Sequence, residues 1–312
     1  MRTSSSLMVV AVPLLLALAA AAGCGGDSGG KDSDQDFRVP DSLLAPLEGF
    51  GITVDEYHPV KGGVIANRDI AIHYPASGIA EYISTNTFTH AYNGYKAVVK
   101  AIGRPAEGQI VVIGANDMDE YKYLTRKDWW YYGYIQGDTL YFEPFNVMLK
   151  RYDPITRRTL LEIGLAQKFG QMALNTLSGG RLPIWLKESI ASFVANEKPV
   201  LEVQAIEFKA EMVGFDPTLE EIEAYLTEAE DRGATRVAYY ISHLMLENLF
   251  ASFTLDEIVS FAKRLGEGQS LDQASGEIFG MDYSALVEKA RLKRDFTSYL
   301  DNVKRPDPRK DE

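Results

Sequence analysis

The sequence predicts an α+β fold, in which short strands come first and helices follow. Runs of β-favouring residues occupy positions 50–58, 63–67 and 69–73, separated by Gly, Pro and Asn. The continuous apolar run 109–114 predicts a buried strand, and residues 138–142 predict another short one. From Asp153 onward the apolar period is helical as far as Tyr299. Strands followed by helices are typical of the α+β class.

Local signals predict several helices individually. Apolar residues recur at helical spacing between positions 88 and 102, which predicts an amphipathic helix that ends before Gly103. Asp153 and Pro154 supply an N-cap and a first-turn proline for a helix that runs to about Leu177. A second helix follows Pro183. Capping boxes at 218–221, 254–257 and 270–273 predict the starts of later helices.

Composition and charge exclude some classes of function. The 312 residues are 46% apolar and 24% charged, which is typical of a globular protein with a sizeable core. The formal net charge of -12 argues against a nucleic-acid partner, because such a protein needs a basic face. One cysteine excludes an intrachain disulfide framework, and four histidines leave little material for a histidine-rich metal site.

The N-terminus has the pattern of an export signal. Arg2 precedes an apolar run at 7–22, too short for a comfortable transmembrane helix of roughly 20 residues. The sequence Ala-Ala-Gly before Cys24 resembles the lipobox of bacterial lipoproteins, which implies acyl chains such as palmitate on that cysteine. Residues 1–23 are then a signal peptide, residues 24–36 a flexible tether, and the protein an extracytoplasmic one anchored to a bacterial membrane through Cys24. An ordinary signal peptide with a chance cysteine is the alternative.

The segment 182–193, LPIWLKESIASF, is the most informative part of the chain. It resembles the P-x-W-L-x-E-G-x-A-x-Y/F signature of the peptidase-MA-like gluzincin metallopeptidases, and the wider resemblance covers roughly residues 61–297. It implies a gluzincin-like fold, with an N-terminal mixed β-sheet and helices in a subdomain at 37–197. A helical subdomain at 198–303 follows, and we expect a disordered tail at 304–312. In the resemblance Glu188 falls on the third zinc ligand, and Ser189 replaces the usual glycine.

The zinc motif of that family is missing from the preceding helix. Where the family carries HExxH, residues 158–169 contain no histidine. The best alignment pairs Glu162 with the general-base glutamate and places Leu161 and Leu165 on the two histidine positions. Alignments shifted by one or two residues also lack histidines. Leucine offers no lone pair, and a catalytic zinc needs about three protein ligands, so we expect neither a zinc cofactor nor ordinary peptidase activity.

Three titratable side chains remain as candidates for residual chemistry. Glu162 and Glu188 are either a surviving acid–base pair or two surface or salt-bridged glutamates. The cations that could pair with either of them are Arg157, Arg158 and Lys168. His243 lies on a predicted helix beside an apolar stripe. It is either a hydrogen-bonded structural histidine or a partner of the two glutamates in an altered metal site.

A dense aromatic cluster is a candidate binding surface. It consists of Trp129, Trp130, Tyr131, Tyr132 and Tyr134. Large aromatic side chains dominate interfaces, and in the family resemblance this segment lies near the edge strand that substrates pair with. The alternative is ordinary packing on both sides of a sheet.

The sequence therefore predicts a lipid-anchored envelope protein with a degenerate metallopeptidase-like domain. The leading hypothesis is a non-catalytic protein that binds or scaffolds a peptide or protein partner. The alternative is an active hydrolase with an atypical site using Glu162, Glu188 and possibly His243.

Overall fold

The computed structural model describes residues 62–75, 78–115, 117–125, 133–144, 154–211, 214–228, 231–293 and 295–301. Several predictions concern residues outside these ranges: the signal peptide at 1–23, Cys24 and the tether at 24–36, the strand at 50–58, the aromatic residues 129–132, and the tail at 304–312.

The described strands form one mixed sheet. The five strands are β1 (Gly62–Ala66), β2 (Ile70–Pro75), β3 (Ile110–Gly114), β4 (Gly133–Gln136) and β5 (Thr139–Phe142), in the spatial order β1-β2-β3-β5-β4. The inner strands β2, β3 and β5 are parallel, whereas the edge strands β1 and β4 are antiparallel to their neighbours. The strands predicted at 63–67, 69–73, 109–114 and 138–142 are confirmed.

The sheet is buried on both faces at its centre. Ile72 and Val112 belong to the larger hydrophobic core, while Val111, Ile113 and Tyr141 form a smaller core on the opposite face. Every residue of β3 is buried, which accounts for its continuous apolar sequence. The connection from β2 to β3 is a helix, as parallel neighbouring strands require.

Helices make up most of the remaining described structure. They are α1 (Gly78–Ala101), α2 (Met118–Thr125), α3 (Pro154–Ser178), α4 (Ile184–Val194), α5 (Lys198–Phe208), α6 (Leu219–Glu228), α7 (Arg232–Phe250), α8 (Leu255–Gly266), α9 (Leu271–Phe279) and α10 (Tyr283–Ala290), followed by a short 3-10 helix (Phe296–Tyr299). The capping boxes predicted at 254–257 and 270–273 are confirmed. Thr218 and Glu221 also make the reciprocal hydrogen bonds of a capping box before α6.

Helix α3 is the centre of the fold, and small residues let its neighbours approach closely. A Cβ at Gly94 of α1 would lie 3.0 Å from the Cβ of Ala166, and one at Gly170 would lie 3.0 Å from the Cα of Ala191 on α4. At Gly266, the last residue of α8, a Cβ would overlap the carbonyl oxygen of Leu177. Helix α3 thus packs directly against α1, α4 and α8.

The larger core is continuous along the described chain. It begins at Ile70 in β2 and ends at Leu300 after the 3-10 helix, so it includes residues from both predicted subdomains. The protein is therefore a mixed α and β fold, with a small mixed sheet followed by packed helices, which confirms the predicted class at that level. Within the described ranges, no helix is long and apolar enough to cross a membrane.

Candidate functional site

The two predicted carboxylates lie in different surroundings. Glu162 is partly exposed on α3, with 43% of its side chain accessible, and its Oε2 lies 3.0 Å from Nδ1 of His90 on α1. Leu161 and Leu165, on either side of it in the predicted alignment, are buried in the larger core. In the described structure, no hydrogen bond joins Glu162 to Glu188.

Glu188 has partners that the sequence did not predict. This residue of α4 is only 5% exposed, and its Oε2 accepts a hydrogen bond from Nε2 of Gln167 at 3.3 Å. Nε2 of Gln171 donates to the same oxygen. The two glutamines are four residues apart on α3, so they lie on one face of that helix and reach one carboxylate together.

A buried lysine completes the group. Lys168 is 7% exposed, and its Nζ donates to Oε1 of Gln171 at 3.3 Å. This bond assigns the orientation of the Gln171 amide, because its oxygen accepts from the ammonium while its nitrogen donates to Glu188. A single amide therefore connects the cation to the carboxylate. We refer to Gln167, Lys168, Gln171 and Glu188 as the α3–α4 cluster.

The charges in this cluster depend on each other. Burial raises the pKa of the Glu188 carboxyl, and the positive charge of Lys168 acts against that rise. Burial likewise lowers the pKa of the Lys168 ammonium, and the negative charge of Glu188 acts against it. Each ion favours the charged form of the other in surroundings that exclude water. The cluster is therefore an electrostatic unit, and removing either ion takes away the strongest opposite charge that acts on the other.

The α3–α4 cluster borders an edge of the sheet. A Cβ at Gly133, the first residue of β4, would lie 3.3 Å from Cγ and Cε of Lys168, so the lysine side chain runs over that strand. Strand β4 has β5 on one side and no other described strand on its outer side. The next residue, Tyr134, packs against the smaller core on the other face. Tyr134 therefore contributes to sheet packing, and its neighbours 129–132 lie outside the described residues.

His243 lies in a second polar group between α4 and α7. Its Nδ1 is 3.2 Å from Oγ of Ser192, and its Nε2 is 3.7 Å from Oε1 of Glu247. Glu247 also accepts two hydrogen bonds from Nζ of Lys198, at 2.7 and 2.9 Å. Burial lowers the pKa of His243 to about 4, so the ring is neutral at pH 7. The described polar contacts of this histidine are with Ser192 and Glu247, and not with Glu162 or Glu188.

The donor chemistry of the α3–α4 cluster does not fit a zinc ion. A zinc ligand must offer a lone pair, and a catalytic zinc needs about three protein ligands. Both glutamine nitrogens carry hydrogens that point to Glu188, and the Gln171 oxygen already accepts from an ammonium. Among the amide atoms of the cluster, only Oε1 of Gln167 has no described hydrogen-bond partner, so this oxygen and the Glu188 carboxylate are too few for such a site. A lysine at this position repels a divalent cation. Across the part of the chain that the structure describes, no group of three or more His, Cys, Asp or Glu side chains is placed to hold a metal.

Sequence reasoning found Glu188 and gave Lys168 as one of its possible partners, but it missed Gln167 and Gln171. The available signal was two glutamines four residues apart with a lysine between them, in the stretch 163–174, which is otherwise apolar. No protein-family model matches the chain, and no curated protein matches it significantly.

Proposed function

We propose that this protein is a lipid-anchored envelope protein whose metallopeptidase-like domain is catalytically degenerate and binds or scaffolds a peptide or protein partner. The observation that carries the proposal is the α3–α4 cluster. The gluzincin resemblance requires two histidines four residues apart on one helix, facing a glutamate from the next helix. Here Gln167 and Gln171 have that spacing and face Glu188.

These contacts support a different alignment from the one centred on Glu162. In the HExxH pattern a general-base glutamate directly follows the first histidine. In the new alignment Lys168 directly follows Gln167. A protonated lysine cannot accept a proton from water, and an amide nitrogen that donates to a carboxylate offers zinc no lone pair. Both parts of the catalytic apparatus are replaced together, which favours a non-catalytic role.

The outer edge of β4 is the surface that suits a peptide partner. An edge strand presents backbone N–H and C=O groups to which an extended peptide adds as another strand. Gly133 places no side chain over this edge, and Lys168 lies directly beneath it. Because the whole chain carries a net charge of -12, a neutral or basic peptide suits it better than an acidic one.

Photo-crosslinking in cells tests the binding surface. A photoreactive amino acid at Gln136, an exposed residue of β4, should capture the partner. The matched control is the same amino acid at Lys263, which is exposed on α8. Equal capture at both positions, or capture only at Lys263, would contradict binding at the β4 edge.

Metal analysis and a peptidase assay test the non-catalytic part. The purified chain from residue 24 onward should retain no stoichiometric zinc after dialysis, and it should not hydrolyse unfolded casein faster than a Glu188→Gln variant does. Stoichiometric zinc, or hydrolysis lost in that variant, would overturn this part of the proposal.

The alternative of an active hydrolase is not favoured by the contacts. Its three candidate residues have separate partners: Glu162 pairs with His90, Glu188 with the two glutamines, and His243 with Ser192. An acid–base mechanism needs its groups within reach of the same reacting atom.

A further inference from the structure

The carboxylate of Glu188 needs a compensating charge. It is buried, and both of the hydrogen bonds described for it go to a single oxygen, Oε2. The two donors are neutral amides, which stabilise the ionised carboxylate but do not neutralise it. A buried ion without a counter-ion instead changes its protonation state. Glu188 therefore needs a cation nearby in order to stay ionised.

Lys168 is placed to be that cation. Among the neighbouring charges, that of Lys168 lowers the pKa of Glu188 most, and that of the half-buried Lys187 comes next. The pKa of Lys168 is also raised by the carboxylate of Glu197, and it is lowered by the charges of Lys187 and Arg236. The shortest described connection from ammonium to carboxylate passes through one amide, that of Gln171. Lys168 and Glu188 thus form a relayed ion pair inside the protein.

In the gluzincin resemblance, the positions of Gln167, Gln171 and Glu188 correspond to three zinc ligands on two helices. A bound ion would join two side chains four residues apart on α3 to one side chain on α4. Here hydrogen bonds to Glu188 join the same three positions. We propose that the Lys168 ammonium replaces the metal ion: it is a covalently attached cation that balances Glu188 and, through Gln171, ties α3 to α4. This inference rests on the proposed function for the comparison with a metallopeptidase, but not for the ion pair itself.

A double-mutant cycle tests the ion pair. Lys168→Met and Glu188→Gln are made singly and together, and the urea midpoint of unfolding is measured at pH 7. Each single change removes the strongest opposite charge that acts on the remaining buried ion, so both should lower the midpoint. The double variant should be more stable than the sum of the two losses predicts. Lys187→Met in the same cycle is the control and should couple weakly. Additive losses for Lys168 and Glu188 would overturn the proposal.

A zinc site built into the α3–α4 cluster tests whether Lys168 takes the place of a metal ion. The triple variant Gln167→His, Lys168→Glu, Gln171→His keeps Glu188 and should bind one zinc ion per chain, measured by elemental analysis and by a rise in the thermal midpoint with added zinc. Adding Glu188→Gln should weaken zinc binding by more than the roughly 10- to 100-fold that loss of an outer-sphere group causes. The matched control Leu161→His, Leu165→His, which retains Glu162, should not bind zinc, because those positions face the core.

Each outcome of the zinc-binding experiment either supports or overturns the proposal that Lys168 replaces a metal ion. Zinc held by the triple variant through Glu188 supports the proposal, and so does a triple variant that folds only when zinc is present. Zinc held by the control pair alone, or by neither variant, overturns it. If the triple variant does not fold in either condition, Gln167→His, Lys168→Ala, Gln171→His is measured in its place against the same criteria. Crosslinking at Gln136 reports on partner binding only, so the two proposals can fail separately.

Discussion

His243 should make the folding stability of this protein depend on pH between about 4 and 6.5. Burial between α4 and α7 lowers its pKa from the ordinary 6.5 to about 4 in the folded protein. Over that range the unfolded chain binds a proton that the folded chain does not, so acid favours unfolding. The contribution is fully present above pH 6.5 and is lost as the pH falls through 4.

The magnitude follows from the two pKa values. The interval from 6.5 to about 4, at about 1.4 kcal/mol per pH unit, corresponds to about 3 kcal/mol. The assay compares the free energy of unfolding in urea for the wild type and for His243→Gln at pH 7, 5.5 and 4.5. His73, which is also buried with a pKa lowered to about 4, and the carboxylates that do not contact His243 contribute equally to both proteins and cancel in the difference.

The difference between the two proteins should shrink steadily as the pH falls. Glutamine does not titrate, so the variant lacks the acid-sensitive contribution while still offering polar atoms to Ser192. A difference that stays constant from pH 7 to 4.5 would refute the reasoning, because it would mean that His243 binds protons equally well in the folded and unfolded chains.

Three further predictions concern packing, a buried hydrogen bond and the membrane anchor. Gly170→Ala should lower the free energy of unfolding by about 1–3 kcal/mol, because the added Cβ meets the α4 backbone at 3.0 Å. The control Gly276→Ala adds a Cβ in open space and should be neutral or stabilising in the same urea assay. Trp185→Phe removes the 2.9 Å bond from Nε1 to the hydroxyl of Tyr283 and should cost about 1–3 kcal/mol; a smaller loss in a Tyr283→Phe background would confirm the pairing. Cys24→Ser should move the protein from the membrane fraction to the soluble one, and an unchanged distribution would contradict lipidation.

The central strands were predictable because a strand buried on both faces has a run of consecutive apolar residues, which the sequence shows directly. Residues 109–114 are apolar without interruption, and β3 is buried throughout. Which strands become neighbours is a long-range property that no local run contains. The placement of β5 between β3 and β4 could therefore not be predicted from hydrophobic periodicity. The short helix α2 was also missed, since its eight residues carry only a weak apolar pattern.

Of the candidate site, the sequence predicted the α4 side but not the α3 residues that face it. The Trp185 segment identifies Glu188, because its spacing of apolar and polar residues is specific. The facing residues lie on α3, where positions 164–174 are buried without a break. A helix covered on all sides has no amphipathic stripe, so the sequence does not reveal which of its faces meets α4. The small residues Gly164 and Ala166 favour the alignment through Glu162. The contacts of Gln167 and Gln171 with Glu188 exist only in the folded chain, so no local pattern in the sequence indicates them.

The close approach of α8 to α3 bears on the order in which the protein can be built. A chain that emerges N-terminus first completes α3 well before α8 has been made. The carbonyl of Leu177 is covered only when Gly266 has been made. Only glycine can lie this close to it, because a Cβ at that position would overlap the carbonyl oxygen. Until α8 is made, the C-terminal end of α3 around Leu177 lacks this neighbour. The packing of α3 is therefore completed only by the last third of the chain, and before that stage this end of the helix is accessible to proteases.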